Sequence, residues 1–454
     1  MDFSLKNNKK LSPMMRQYLT IKEQYTDYIL FFRLGDFYEM FFDDALEISK
    51  ALELTLTGKD CGLDKRAEMC GIPYHSSDVY IKRLIDLGYR VAICEQLTDP
   101  ALSKGLVQRD VIKIITPGTL TETTMLDEDC NNYICSTYVD ATSQRCGLCF
   151  ADISTGRVLI TEVFGKNYQD SIINLISQYN PAEIVCPNEF LKLKSVIDFI
   201  KLRTKAILTF RVERCFNPSI KSSEVISQFN GNINNVNFGN PTLKEYALCG
   251  MFDYIAETQK SLTNRFTTIE VLINSDFMEL DYNARRNLEL TETIRNKERK
   301  GSLVWVLDKT KTSMGRRLLK STIERPLIKA IDINNRLDAV EILTKKSLVL
   351  MEVRELLSNI CDIERLMGKV AYKTATPRDL KALSLTALKM PSIKEQLSKI
   401  VDSSTLITNI YTDISSLEEI SNLIESAISD EPPVSVKDGN TIKDGFNSQL
   451  DELR

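Results

Sequence analysis

The 454-residue sequence predicts a multidomain protein, two α/β units followed by a largely helical one. Three observations predict it. Up to Thr119, short apolar runs alternate with segments of helical periodicity. From Tyr133, three strand-like runs follow one another before helices and strands alternate again. From about Phe266 helical spacing takes over, with few glycines and few strand-like runs.

In the first block Ser12-Pro13 is a helix start, with serine as N-cap and proline at the first helical position, and the helix runs to about Gln24. Residues 28–33 form a short buried strand. Residues 36–52 read as one helix, with Phe37, Met40, Phe41, Ala45 and Ile48 at helical spacing, and residues 59–68 as a polar loop. A helix over 78–87 closes at Gly88. Strands follow over 89–94 and 107–115, the last ended by Thr116-Pro117-Gly118-Thr119. Residues 120–132 (LTETTMLDEDCNN) are polar, acidic and free of pattern, which predicts a linker. The second block opens with strands over 133–139, 146–153 and 157–163, the last two joined by a Ser154-Thr155-Gly156 turn. It continues through a strand at 182–186 and ends near residue 265. In the third block helices are expected over 284–295, 303–322, 335–344, 347–359 and 377–388. The divisions are therefore 1–119, a linker 120–132, 133–265 and 266–454.

A net charge of -4 argues against a histone-like, charge-driven nucleic-acid binder, although local patches can steer association whatever the total. Lys6, Lys9 and Lys10 form a small basic tail, either a solvated end or a DNA-contacting arm. No run approaches the 18–20 apolar residues of a membrane span, and the first residues lack an apolar core of signal-peptide length, so a cytosolic protein is expected. The 11 cysteines are then reduced core residues rather than a disulfide framework. Cys146 and Cys149 spell C-x-x-C, but on a strand they point to opposite faces. With His75 the single histidine, a zinc site is disfavoured.

No G-x-x-x-x-G-K-[ST] loop occurs that would cradle a nucleotide phosphate, and no G-x-S-x-G elbow. His75, in Gly71-Ile72-Pro73-Tyr74-His75, reads as a structural residue at a turn. The segment Arg33-Leu34-Gly35-Asp36-Phe37-Tyr38-Glu39-Met40-Phe41 has two readings. On pattern alone the favoured one is a capping box, with Asp36 as N-cap, Glu39 at N3 and Phe37 opening the helix's core face. In the other, Phe37 projects as an apolar wedge that unstacks a base step from the minor groove, and Glu39 reaches the same point. Such a pair rewards badly paired sites, where unstacking costs least.

Gly35-Asp36-Phe37-Tyr38-Glu39 resembles the Phe-x-Glu motif of the MutS family of DNA mismatch repair proteins. The runs LSPMMRQY from Leu11, GIPYH from Gly71, VAICEQ from Val91 and VIKIITPGT from Val111 are similar to the same family, in order. So are ADISTG from Ala151, PAEI from Pro181, RRNLEL from Arg285, GSLVWVLD from Gly301 and TPRDL from Thr376. The resemblance spans essentially the whole chain. It implies a small mixed α/β mismatch-recognition domain, an RNase H-like α/β connector that meets MutL, and an incomplete helical core that bears levers. It implies that Phe37 stacks on a mispaired or unpaired base while Glu39 hydrogen-bonds it, and that the DNA is kinked. Lys59, Arg109 and Lys113 fall where the family has basic residues, which implies backbone contacts that position rather than specify. Full-length members also carry a clamp and an ATPase using ATP and Mg2+, form homodimers and recruit MutL. This sequence stops where the family leads into the clamp, as a truncated gene product or a partial sequence would. Weak, salt-sensitive DNA affinity is expected, and no catalysis by these residues. The alternatives are a non-catalytic scaffold or an RNase H-like nuclease using Asp140 and Asp152, which lacks an obvious third carboxylate.

Overall fold

The computed structural model describes residues 3–8, 10–98, 105–229, 231, 233, 235–260, 266, 268–272, 276–433, 436 and 439–454; Lys9 and the expected boundary at residue 265 lie outside them. Helix α1 (Pro13–Gln24) starts as expected, the Met15 amide donating to Ser12 Oγ at 3.4 Å. There follow β1 (Ile29–Leu34), β2 (Phe37–Phe41), α2 (Phe42–Ala51), β3 (Thr57–Lys59), β4 (Ala67–Pro73), α3 (Ser77–Asp86), β5 (Val91–Gln96) and β6 (Arg109–Ile115). The six strands form one sheet in the order β3-β4-β2-β1-β5-β6, parallel only between β1 and β5. One face packs under α1 through Tyr18, Leu30, Phe32 and Phe41. The other packs on α2 and α3 through Phe31, Tyr38, Met40, Ile48 and Leu84.

Two expectations are corrected here. Residues 37–41 are a strand, and only Phe42–Ala51 is helical. Gly35, at φ +57°, turns the chain back on β1, so Leu34 faces Phe37 and β2 is paired on both sides. A strand buried on both faces places apolar residues at 38, 40 and 41, which imitates helical spacing. Asp36 is no N-cap, and α2 begins without a side-chain cap. Residues 57–59 likewise pair with 67–69, which shortens the expected 59–68 loop.

Asp44, in the first turn of α2, is buried and joins three elements. It lies 2.9 Å from Lys22 of α1 and accepts from the Leu30 amide of β1 at 3.1 Å and from the Tyr18 hydroxyl at 3.4 Å.

The expected linker is docked rather than free. Leu120 and Met125 are buried in the α3-side core, and Arg365 Nη2 donates to the carbonyls of Asp127 (2.7 Å) and Cys130 (2.8 Å). Two apolar anchors are too few to leave a period in the sequence.

The second sheet comprises β7 (Tyr133–Asp140), β8 (Arg145–Asp152), β9 (Arg157–Phe164), β10 (Glu183–Cys186), β11 (Ile207–Phe210) and β12 (Thr268–Val271), in the order β11-β10-β7-β8-β9-β12. The meander β7-β8-β9 is antiparallel; β10, β11 and β12 join in parallel. Helices α4 (Tyr168–Tyr179) and α5 (Lys194–Arg203) cover one face, α6 (Pro218–Gln228) and α7 (Leu243–Gln259) the other. Cys146 lies in the first of these cores and Cys149 in the second, the opposite-face placement that strand alternation predicts. At Gly147 any Cβ would come 1.9 Å from the Leu243 carbonyl, so only glycine admits the start of α7.

The third part is helical: α8 (Tyr282–Asn287), α9 (Leu303–Leu307), α10 (Ser313–Glu324), α11 (Ala330–Lys345), α12 (Ser347–Leu357), α13 (Ile363–Ala371), α14 (Pro377–Ala387), α15 (Met390–Ser398), α16 (Thr405–Asp413), α17 (Glu418–Ala427) and α18 (Ser448–Leu453). The helix expected over 284–295 stops at Asn287, and that over 303–322 is broken. Asp308 Oδ1 accepts from the Thr310 amide (2.9 Å) and hydroxyl (2.6 Å), and Thr312 Oγ1 then caps α10 at Gly315 N, 3.0 Å away. Among the described residues, no helix is long and apolar enough to cross a membrane.

Removing one partner of the buried Lys22–Asp44 pair strands the other charge. Asp44→Ala is expected to cost about 3–5 kcal/mol of stability, read by denaturant unfolding, and Lys22→Met with Asp44→Leu together to cost less than the two single changes added.

Candidate functional site

The β1–β2 hairpin carries the two residues singled out in the sequence. Phe37 and Glu39 are two apart on a strand, so their side chains leave the same face. The expected helix would have separated them by about 200° around its axis, so the strand serves a shared site better. Further along that face Phe41 lies under α1 and is fully buried. Phe37 lies beyond that cover and is 47% exposed, whereas its neighbour Tyr38, pointing the other way, is 6% exposed.

The hairpin is braced from below. The Arg33 guanidinium lies 3.5 Å from the Tyr74 ring centroid, and its Nε donates to the Gly35 carbonyl at 2.5 Å. The Tyr74 amide donates to the Asp36 carbonyl at 3.0 Å. The Tyr38 hydroxyl donates to Glu95 Oε1, which also lies 3.4 Å from Arg33 Nη1. Burial and the Glu95 carboxylate both push the Tyr38 pKa up, which holds it as a hydrogen-bond donor.

Of the three basic residues expected near this site, the structure brings Lys59 to it. Lys59 Nζ lies 2.6 Å from Glu39 Oε2. Arg109 is engaged beneath the hairpin: Nε donates to the Arg33 carbonyl (2.8 Å), Nη1 to Val107 O (2.9 Å) and Gln17 Oε1 (3.1 Å), and the guanidinium packs 5.1 Å from the Phe32 ring. Lys113 faces the docked segment, donating to Thr121 Oγ1 at 2.9 Å with Glu122 3.9 Å away. His75 is exposed on the one-turn helix Tyr74–Ser76, edge-on to Tyr74.

The nuclease alternative fails on geometry. Asp152 pairs with Tyr133 at one end of the β7–β8 ladder and Asp140 with Arg145 at the other. Seven positions of strand separate them, roughly 23 Å, against about 4 Å for a two-metal site. Asp152 is also spent, accepting from Asn131, Asn132 and both the amide and hydroxyl of Ser154. Among the described residues no group of three or more His, Cys, Asp or Glu is placed to hold a metal ion.

The sequence did not reveal Glu183, fully buried where the two sheets meet. It accepts from Thr116 Oγ1 (2.5 Å), Gly118 N (3.3 Å), Thr209 Oγ1 (2.5 Å) and Tyr254 OH (2.8 Å), and Arg90 lies 3.8 Å away. The Thr116–Thr119 turn was legible as a strand end but not as one wall of this carboxylate pocket.

Three family models match the chain in order: MutS domain I at residues 12–124, MutS domain II at 132–270 and MutS domain III at 283–452. The chain belongs to the MutS family. It is 44% identical over 448 residues to the DNA mismatch repair protein MutS of Alkaliphilus oremlandii, covering 98% of this chain and 50% of that relative. The MutS of Ruminiclostridium cellulolyticum is 47% identical over 454 residues, again 98% and 50%, and that of Clostridium perfringens 46% over 447, 98% and 48%. The chain thus spans about half the length of the curated relatives it matches. The hairpin, Lys59, Arg109 and Lys113 all fall within the stretch matched by MutS domain I, and Asp140 and Asp152 within MutS domain II.

The exposure of Phe37 separates the two readings of the motif. Phe37→Ala is expected to change stability by less than about 0.5 kcal/mol, as surface substitutions do. Tyr38→Ala, one residue on, is expected to cost about 3–5 kcal/mol. Denaturant melts of the two variants check this, and a large loss for Phe37→Ala would restore the core-residue reading.

Proposed function

We propose that this chain recognises mispaired or unpaired bases in duplex DNA within mismatch repair. Phe37 enters the stack from the minor groove and stacks on the faulty base, Glu39 hydrogen-bonds that base, and the duplex kinks at the wedge. The observation that carries this is a large aromatic left half-exposed at the tip of a braced hairpin, on the same face as a carboxylate. A wedge must be rigid to do work on DNA, and the Arg33, Tyr74, Tyr38 and Glu95 contacts supply that rigidity. Selectivity follows because an unpaired or mispaired base costs least to unstack. The relatives' description as DNA mismatch repair proteins supports the same assignment.

Residues 1–119 would be the mismatch-recognition domain, 120–132 the link, 133–265 an RNase H-like connector and 266–454 the first part of a lever-bearing core. The strand order β9-β8-β7-β10-β11, an antiparallel meander extended by parallel strands, supports the RNase H-like reading. The connector would recruit MutL. Homodimerisation, and ATP and Mg2+ chemistry coupled to recognition, are proposed for the full-length relatives rather than for these residues. We place the protein in the cytoplasm, with the nucleoid. Lys59, Arg109 and Lys113 already have internal partners, so a phosphate contact by any of them would compete with those partners.

Mobility shifts with a G·T or one-base-loop duplex against matched duplex, at two salt concentrations, test the proposal. The chain is expected to prefer the faulty duplex. Phe37→Ala is expected to remove the preference, a stacked base being worth about 1–3 kcal/mol. Glu39→Ala is expected to relax discrimination while raising affinity for matched DNA, by removing a negative charge near phosphates. Equal binding of both duplexes by the unaltered chain overturns the proposal.

A further inference from the structure

We infer that Lys59 is a positioning residue for the Glu39 carboxylate rather than a phosphate contact, an inference that rests on Glu39 touching the base. The two residues lie on strands that are not neighbours. Lys59 is on β3 and Glu39 on β2, with β4 between them. Lys59 faces Ala67 of β4, and Glu39 faces Gly71. The two side chains therefore converge across β4, two strand spacings (about 10 Å) apart laterally, to place Lys59 Nζ 2.6 Å from Glu39 Oε2.

Gly71, directly opposite Glu39, leaves room beside that side chain. A Cβ there would sit 3.5 Å from Glu39 Cγ, in ordinary contact, and 3.3 Å from the Tyr38 carbonyl, so a branched side chain would crowd Glu39. Neither partner is a free surface charge: the side chains of Lys59 and Glu39 are 32% and 15% exposed, and Nζ stands 5.7 Å from the Phe41 ring. A half-buried pair of this kind fixes one carboxylate oxygen and leaves the group oriented before DNA arrives. It also offsets the repulsion that a lone carboxylate would meet beside phosphates. An ammonium committed to Glu39 releases no phosphate counterion when DNA binds.

The test is a set of titrations of this chain with mismatched and matched duplexes over a range of salt. Lys59→Met is expected to lower the mismatched-to-matched affinity ratio about three- to tenfold in the native background and less than about twofold in a Glu39→Gln background, as for two residues acting as one unit. The salt slope for matched DNA stays unchanged, and Lys59→Arg restores most of the ratio. Gly71→Val, which crowds the Glu39 side chain without removing a charge, lowers the ratio in the same way and covers the case in which Lys59→Met does not fold. Equal weakening on both duplexes, with a salt slope reduced by about one, makes Lys59 a phosphate contact and overturns the inference. So does an unchanged ratio in both Lys59→Met and Gly71→Val. If Glu39→Gln itself leaves the ratio unchanged, the base contact of Glu39 fails first.

Discussion

The first domain depends on one buried ion pair. Lys22 and Asp44 meet with side chains only 5% and 7% exposed, at the junction of α1, β1 and α2. Burial is the largest influence on Asp44 and raises its pKa, while Lys22 and the hydrogen bonds from Leu30 and Tyr18 pull it back. Such a pair adds little net stability over an apolar substitute, but a misaligned one is costly, so it selects an arrangement more than it strengthens one. Asp44 lies three residues beyond the end of β2. Holding it holds the phase of the strand, and the phase decides which of Phe37 and Tyr38 enters the core. A slip of one residue would bury Phe37 and turn Tyr38 out.

The same economy joins the domains. Glu183 collects donors from the Thr116–Thr119 turn, from β11 and from α7, so the exit of the first domain and the sheet of the second share one carboxylate. Arg365 grips two carbonyls of the intervening segment, and Asp129 of that segment pairs with Arg299 and Arg316 of the third part. Glu183 is fully buried and its several donors satisfy it, so that junction tolerates few relative placements of the two sheets. The hairpin that exposes Phe37 is therefore mounted on a frame continuous with the helical part.

Much of this was legible in the sequence, and the failures have physical causes. The Ser12 cap, the β7-β8-β9 meander and the opposite faces of Cys146 and Cys149 follow from local chemistry and period alone. The strand at residues 37–41 carries the pattern of a helix start because Asp36 and Glu39 stand at capping-box spacing and because both faces of β2 are covered. What separates the two is Gly35 in a left-handed turn plus pairing to β1 and β4, and only the first of these is local. The motif itself was legible, as the pair Phe37 and Glu39, yet its partner Lys59 lies across another strand, where no spacing rule reaches.

On the proposed reading, the domain would discriminate more than it grips. Grip on DNA comes from cations that shed counterions onto phosphates, and it is indifferent to sequence. Among the described residues around the hairpin, Lys59 is committed to Glu39, Arg33 to Glu95 and the Gly35 carbonyl, and Arg109 to three oxygen acceptors. What is left uncommitted is an aromatic face, and beside it a carboxylate whose direction is already set. An aromatic wedge gains from any base it unstacks, but the cost it must overcome differs between a sound pair and a faulty one, and that difference is the quantity such a site can read. A net charge of -4 is then consistent with the chemistry, since a strongly attractive surface would bind both kinds of duplex and blur the difference.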